Sequence, residues 1–179
     1  MSMEKVCLIK PSENIKEQYV DYYEEWLESG ESIIPHSTTY EPYNFAELLQ
    51  KFENDEAGIG LIEGWVTSST FLLTGEYGRI IGAVHIRHEL TEDLTNRGGH
   101  IGYGIRPSER KKGFATKLLA LALAEAKILG ISKALVVCDA DNTASEKTIQ
   151  KNNGIPTSDF VEEDGNVIKR YWISTDGSR

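Results

Sequence analysis

The sequence predicts a mixed α/β domain, of the α+β kind, in which helices flank a largely antiparallel sheet. Three observations predict this class. Residues 12–57 carry two amphipathic helical patterns, residues 70–89 carry two strand-length apolar runs, and a glycine-rich strand pattern at residues 100–105 leads into a further helix. A length of 179 residues with 40% hydrophobic content suits one core. We therefore expect residues 1–179 to form a single domain.

The N-terminal region, residues 12–57, is expected to form two helices. Ser12 is placed to cap the first helix. Asn44 begins the second, with Glu47 three residues later as in a capping box. The apolar residues of the first helix fall on one side and would face the sheet: Ile15, Tyr19, Tyr22, Tyr23, Trp26 and Leu27.

Two strands follow, over residues 70–76 and 79–89, and a tight turn at Tyr77-Gly78 makes them an antiparallel pair. Near the C-terminus, the turn signal Glu163-Asp164-Gly165-Asn166 predicts a hairpin within residues 157–173. The last residues, 174–179, are predicted to form a frayed tail.

The segment from residue 100 to residue 130 predicts a strand, a basic turn and a helix. Residues 100–105 are too short and glycine-rich for a helix, and Pro107 favours extended backbone before it. An apolar stripe at helical spacing then ends at Gly130: Ala115, Leu118, Leu119, Ala122, Ala126 and Leu129. Free N–H groups at the start of this helix, with Arg110, Lys111 and Lys112 nearby, are typical of a phosphate site.

Two common nucleotide-binding patterns are excluded at this turn. In a dinucleotide fingerprint the glycines follow the strand, but Gly102 and Gly104 lie inside it and Pro107 occupies the place of the third glycine. A nucleoside triphosphate loop needs Gly-Lys-Ser/Thr, but Phe114 follows Gly113. The pattern that remains is Arg-x-x-Gly-x-Ala.

This pattern, at Arg110, Gly113 and Ala115, resembles the coenzyme A pyrophosphate loop of the GNAT superfamily of acyltransferases. An apolar strand at residues 134–138 is then followed by Asp139-Ala140-Asp141-Asn142-Thr143-Ala144-Ser145, which resembles the Asn-x-x-Ser segment of the family, and by a short helix to about residue 153. The resemblance covers roughly residues 79–173. Within the superfamily, the sequence is similar to an uncharacterised bacterial branch. It implies a mostly antiparallel central sheet with a splayed parallel strand pair, flanked by helices.

The resemblance also implies that the cofactor is acetyl-CoA, bound by the core at about residues 79–153. In the family the pyrophosphate lies on the turn, and the pantetheine arm runs between the splayed strands and pairs with strand backbone. Carried over by position, the cofactor-binding residues are Gly104, Ile105, Arg110, Lys111, Lys112, Gly113, Phe114, Ala115, Thr116, Asn142 and Ser145.

For catalysis, the resemblance places His100 where many members have a glutamate base. A backbone N–H between Tyr103 and Ile105 would serve the thioester oxygen. Many members have a tyrosine acid at the position of Ile149, so this chain departs from the family there. Either another tyrosine, Tyr103 or Tyr171, reaches the sulfur, or the thiolate leaves without a dedicated acid.

The predicted function is acetyl-CoA-dependent transfer of an acetyl group to a primary amine of a small molecule or peptide, by direct attack in a ternary complex. The alternative is a noncatalytic acyl-CoA-binding sensor or regulatory module, which the missing tyrosine would favour. In the resembled fold the loop at residues 33–43 borders the acceptor pocket, but as an isolated sequence it is equally an ordinary connector. The acceptor stays open, as does a possible homodimer.

Composition excludes several other classes. A net charge of −9 and a pI near 5.0 disfavour nucleic acid as a partner. The apolar run Val6 to Ile9 is too short for a signal or membrane segment. Cys7 and Cys138 lie in apolar runs and are interpreted as buried thiols, which suits a reducing cytoplasm.

No metal site is expected. His85 and His88 are three residues apart on a strand and would point to opposite faces, and His100 lies on a different strand. A calcium loop beginning at Asp139 would need glycine where Ala144 stands.

Overall fold

Two sheets form the framework of the fold, which the computed structural model describes for residues 5–177. The helices are α1 (Lys16–Ser29), α2 (Phe45–Ala57), α3 (Phe114–Ile128) and α4 (Thr143–Lys151). The strands are β1 (Cys7–Ile9), β2 (Ser68–Thr74), β3 (Ile80–Arg87), β4 (Ile101–Ile105), β5 (Lys133–Asp139), β6 (Ile155–Pro156), β7 (Phe160–Val161) and β8 (Val167–Ser174).

The first sheet has the strand order β1-β2-β3-β4, and the second has the order β5-β8-β6 with β7 also paired to β8. All pairings between these strands are antiparallel. Helices cover both faces of the first sheet. On one face Trp26 of α1 and Phe45 of α2 pack with Leu72, and on the other Leu118 of α3 packs with Val84. Burial of these apolar faces on both sides fixes the layer order.

The two sheets meet at His100, immediately before β4. The His100 N–H donates to the Leu135 oxygen at 2.7 Å, and the ring Nδ1 of His100 accepts the Leu135 N–H at 2.8 Å. Gly99 adopts φ 67°, and a Cβ at that position would lie 2.6 Å from the Leu135 oxygen, so the close approach of the strands requires glycine. Among the described residues β4 and β5 belong to separate sheets beyond this point. They form the splayed strand pair predicted from the sequence.

The element boundaries differ from the sequence predictions at several places. Ser12 precedes a short 3₁₀ turn, so α1 begins at Lys16 and the Ser12 side chain makes no cap hydrogen bond. The Asn44 side chain likewise makes no cap bond to α2. The first hairpin strands are shifted to Ser68–Thr74 and Ile80–Arg87, but the turn at Tyr77-Gly78 is observed as predicted. Local propensity located these elements to within a few residues.

Two further predictions were wrong. Residues 174–175 are not part of a frayed tail, because β8 extends through Ser174 and the buried Thr175 hydroxyl donates to the Ile131 oxygen at 2.7 Å. Residues 178–179 lie outside the described chain. Cys7 is exposed, because it lies on the edge strand of the first sheet, whereas Cys138 is buried as predicted.

A buried arginine connects α1 to the strand end that precedes the basic turn. Arg106 is 1% exposed, and its Nε donates to Glu25 at 2.6 Å while Nη2 lies 2.9 Å from Asp21. Glu25 also accepts the Ser108 N–H at 2.8 Å. The hydrogen bonds to Arg106 and Ser108 lower the pKa of Glu25 against the opposing effect of burial, which is the largest single contribution. The carboxylate is therefore held ionised between two elements.

We expect Arg106→Met to lower the free energy of unfolding by roughly 1–3 kcal/mol, because the variant loses the hydrogen bonds that the buried guanidinium donates to Glu25 and to the Ile80 oxygen. Arg79→Met is the matched control, since Arg79 contacts the same two carboxylates from an exposed position. Its loss should stay below about 1 kcal/mol. Urea denaturation measures the free energy of unfolding of both variants. Equal decreases would contradict the role of Arg106 as the connection between α1 and the end of β4.

The His100 junction should make stability depend on pH. Because Nδ1 accepts a hydrogen bond, the ring must be neutral, and burial together with Arg87 lowers its pKa. As pH falls below about 6.5 the unfolded chain takes up the proton first, so the free energy of unfolding decreases. His100→Asn keeps an acceptor near the Nδ1 position without a titrating group. Its stability should fall less between pH 7 and pH 5 than that of the wild type.

His100→Ala removes the acceptor and leaves the Leu135 N–H unpaired, which should cost about 1–3 kcal/mol at pH 7. Urea titrations of the three proteins across pH provide the comparison. If the free energy of unfolding of His100→Asn decreases with pH as steeply as that of the wild type, the junction role is contradicted.

Candidate active site

A cleft of about 620 Å³ opens between β4 and the N-terminal parts of α3 and α4. It lies on the α3 side of the point where β4 and β5 separate. All of the predicted cofactor-binding residues line it except Lys112. The predicted residues in its wall are Gly104, Ile105, Arg110, Lys111, Gly113, Phe114, Ala115, Thr116, Asn142 and Ser145.

One end of the cleft is the N-terminus of α3. Lys117 donates the first backbone hydrogen bond of the helix, to the Gly113 oxygen at 3.3 Å. The N–H groups of Phe114 to Thr116 precede this bond and lie in the cleft wall. Gly113 has φ 85° and Lys111 has φ 61°, so the turn bends sharply and brings its backbone close to the cleft. Backbone donors and the helix dipole together favour an anion here.

Two of the three basic residues of the turn, Arg110 and Lys112, are already paired with carboxylates. Arg110 Nη1 lies 2.7 Å from Glu31, and its guanidinium lies 5.0 Å from the Trp26 ring centroid. Lys112 lies 2.9 Å from Glu109, which draws it out of the cleft wall. The sequence pattern therefore located the turn correctly, but the partner of Arg110, Glu31, lies after α1 and is distant in the sequence.

Residues at the start of α4 form the facing wall. Asn142 Oδ1 accepts the Ser145 N–H at 3.1 Å and so caps α4. Within residues 5–177 no acceptor contacts the Asn142 amide Nδ2, which leaves it free to donate into the cleft. The Ser145 hydroxyl lies 2.9 Å from the Tyr103 hydroxyl across the cleft.

Tyr103 is the tyrosine that the fold brings into the cleft. Burial is the main cause that raises its pKa to about 12, so its hydroxyl keeps its proton at neutral pH. Tyr171 is not part of the cleft wall and donates to Glu146 at 2.6 Å. Ile149 is fully buried in the core. Of the two tyrosines considered from the sequence, only Tyr103 can contact a ligand in the cleft.

The outer edge of β4 presents backbone donors that have no partner among the described residues. Arg106 N–H donates to Ile81 of β3 at 2.9 Å, and alternate residues of an antiparallel strand direct their N–H groups the same way. The N–H group of Gly104 is therefore directed toward β3, and the N–H groups of Tyr103 and Ile105 are directed toward the opening between β4 and β5. This edge has the donors needed to bind a carbonyl oxygen or an added strand-like chain.

His100 does not line the cleft. Its Nδ1 lone pair is occupied by the Leu135 N–H, so in the neutral ring the hydrogen is carried by Nε2. Neither nitrogen then has a free lone pair. The contacts of His100 thus provide a structural junction between β4 and β5 and do not support the base role expected from its position.

The cleft wall also contains residues that were not predicted as site residues, among them Trp26, Glu31, Lys147 and Lys151. The lysines are four residues apart on α4 and share one face, directly after the Asn-x-x-Ser segment, so helical spacing could have indicated them. Trp26 and Glu31 come from the distant α1 region, and no local pattern links them to the turn.

Within residues 5–177 no group of three or more His, Cys, Asp or Glu side chains is arranged to hold a metal ion. In the same part of the chain, no helix is both long and apolar enough to cross a lipid bilayer.

Comparisons with known proteins identify the family and the fold. The profile described as acetyltransferase (GNAT) domain matches residues 13–154. No curated protein matches the sequence. A dodecameric structure of spermidine N-acetyltransferase from Vibrio cholerae in an intermediate state is similar in fold, with a TM-score of 0.65, 19% identity, and coverage of 96% of this chain and 94% of that chain.

A second solved structure is yncA, a putative acetyltransferase from Salmonella typhimurium with its cofactor acetyl-CoA. It is similar with a TM-score of 0.61 and 13% identity, over 97% of this chain and 95% of that chain. At these identities the structures establish the fold, and they confirm the predicted α+β class. Because the profile covers most of the sequence, this protein belongs to the GNAT family of acetyltransferases.

Proposed function

We propose that this protein is an acetyl-CoA-dependent N-acetyltransferase, contained in one domain, that acetylates a primary amine of a small molecule or peptide. The observation that carries the proposal is the cleft, which combines the free N–H groups of α3, the free Asn142 amide and the Tyr103 hydroxyl along one channel. Membership of the acetyltransferase family supports it.

The cleft residues suit the parts of acetyl-CoA in order. The α3 N-terminus at Phe114 to Thr116 would bind the pyrophosphate, with Lys147 and Lys151 adding positive charge from α4. The Asn142 amide would donate to the pantetheine arm, which would run along the free edge of β4. This places the thioester near Tyr103, where the strands diverge.

Direct attack by the amine in a ternary complex forms the C–N bond and breaks the C–S bond, and the amine proton replaces the acetyl group on sulfur in the net reaction. Backbone N–H groups of Tyr103 and Ile105 would stabilise negative charge on the carbonyl oxygen. With its pKa near 12, the Tyr103 hydroxyl would donate a hydrogen bond to the departing thiolate. Full proton transfer is unfavourable, because an ordinary thiol has a pKa of about 8.5.

We further propose that His100 has a structural role and that no side chain of the cleft serves as a strong base. The amine would then have to bind in its neutral form or lose its proton to water. Both spermidine N-acetyltransferase and this chain share the fold, and the name of that enzyme supports an amine acceptor here.

Gly113→Val should weaken acetyl-CoA binding at least about tenfold, because a β-branched residue at φ 85° strains the turn and its side chain obstructs the approach of phosphate. Gly130→Val is the matched control. Gly130 has φ 86°, no atom lies within 4 Å of a Cβ there, and it follows the opposite end of α3. Isothermal titration with acetyl-CoA measures both, and equal affinities for the two variants would refute the phosphate role of the turn.

Tyr103→Phe should lower kcat roughly 10- to 100-fold, the value of one hydrogen bond to a charged group, with little change in acetyl-CoA affinity. Tyr171→Phe, which lies outside the cleft wall, should lower kcat less. Release of free thiol across amines, amino acids and peptides measures turnover. Tight acetyl-CoA binding without transfer to any acceptor would instead favour a noncatalytic acyl-CoA-binding module.

A further inference from the structure

A second pocket, of about 300 Å³, lies on the α1 and α2 side of the first sheet. We name it the Arg87 pocket, and its polar and aromatic wall comprises His36, Trp65, Ser68, His85, Arg87 and Asp93. Its side of the sheet follows from strand register. His85 pairs with Gly102 and Ala83 pairs with Gly104, and Ala83 packs in the α1 and α2 core. His85 and Arg87 share that face because strand side chains alternate.

One segment, Ile34-Pro35-His36, separates the Arg87 pocket from the cofactor cleft. Ile34 lines the cleft and its carbonyl oxygen contacts the position where a Cβ of Gly104 would be, whereas His36 lines the Arg87 pocket. Two residues span at most about 7 Å, so the two spaces are neighbours. A molecule in the Arg87 pocket therefore lies next to the place where β4 would hold the thioester.

Arg87 supplies a positive charge to the wall of this pocket. Arg87 Nη1 donates to the Gly98 and Gly99 oxygens at 3.2 Å each. Across the described residues Nε and Nη2 contact no acceptor, and they are not among the buried unpartnered atoms, so both reach solvent. Asp93 lies in the same wall, but Arg97 holds its carboxylate at 2.6 Å.

The other groups of the pocket add hydrogen bonding without charge. Burial, followed by the neighbouring Arg87, lowers the pKa of His85 to about 3, so its ring is neutral. Its Nδ1 is buried and has no partner within residues 5–177. The His36 and Trp65 rings meet edge to face at 5.7 Å and form an apolar side of the pocket.

We infer that the acceptor is an amine that also carries a carboxylate, with the carboxylate bound by the free donors of Arg87 and the amine directed past Ile34 toward the thioester. This inference rests on the proposed function. A guanidinium that presents its Nε and Nη2 donors side by side suits a planar carboxylate. A polycation in the same place would meet an unpaired positive charge. The amine must lie several bonds from the carboxylate, because Arg87 is about four residues along the sheet from Gly104.

The test compares acceptors that differ only in the carboxylate: 6-aminohexanoate against hexylamine, and lysine against cadaverine, with spermidine as the polycation. For the wild type we expect kcat/KM at least tenfold higher for the carboxylated member of each pair. In Arg87→Gln this preference should fall to within about threefold, whereas Arg87→Lys should retain part of it. Thermal unfolding and acetyl-CoA affinity show whether the variants keep the fold and the cofactor cleft, since Arg87 also binds two carbonyl oxygens.

Asp93→Asn provides the opposite charge change in the same pocket and should raise kcat/KM for the carboxylated members. A higher kcat/KM for the amines without a carboxylate, or for spermidine, would overturn the inference. An equal decrease in kcat/KM for both members of a pair in Arg87→Gln would also overturn it. If no acceptor is acetylated, the proposed function fails separately. Titration of 6-aminohexanoate into the coenzyme A complex then decides the inference: binding at least tenfold weaker in Arg87→Gln supports it, and equal binding overturns it.

Discussion

The pair of hydrogen bonds between His100 and Leu135 is the interaction on which the functional part of the structure depends. It joins the two sheets at one point, and the strands β4 and β5 separate from there. The cofactor cleft opens on the α3 side of this junction. On the other face, the His100 oxygen accepts the Arg87 N–H at 2.7 Å, so the second pocket is connected to the same residue. A buried neutral histidine thus connects the geometry of both spaces.

Two cations of the turn, Arg110 and Lys112, are paired with carboxylates before any ligand binds. Glu31 and Glu109 hold Arg110 and Lys112, while a buried arginine, Arg106, connects α1 to the same turn. A phosphate would therefore compete with carboxylates for these side chains, and the backbone N–H groups of α3 are the donors that require no rearrangement. This explains why the glycine of the turn, more than its basic residues, is expected to control affinity.

Much of the site could be predicted where the signal is local. The strand, turn and helix from residue 100 to residue 130, and the short helix after the Asn-x-x-Ser segment, follow from short-range steric and hydrogen-bonding rules that operate within a few residues. The prediction for His100 relied on its position in the strand, and that position does not reveal that Leu135 would occupy its ring nitrogen. Thr175 was placed in a tail for the same reason, because its partner Ile131 lies 44 residues away.

The sequence by itself determined the family, the fold class and the strand, turn and helix at one end of the cleft, because glycine, proline and helical periodicity constrain the backbone locally. Only the tertiary structure decided which tyrosine enters the cleft, which cations stay free and where an acceptor could bind. Tyr103 reaches Ser145 across 42 residues, and the Asp93 carboxylate is held by Arg97. Such contacts depend on how distant elements pack, and no local pattern records them.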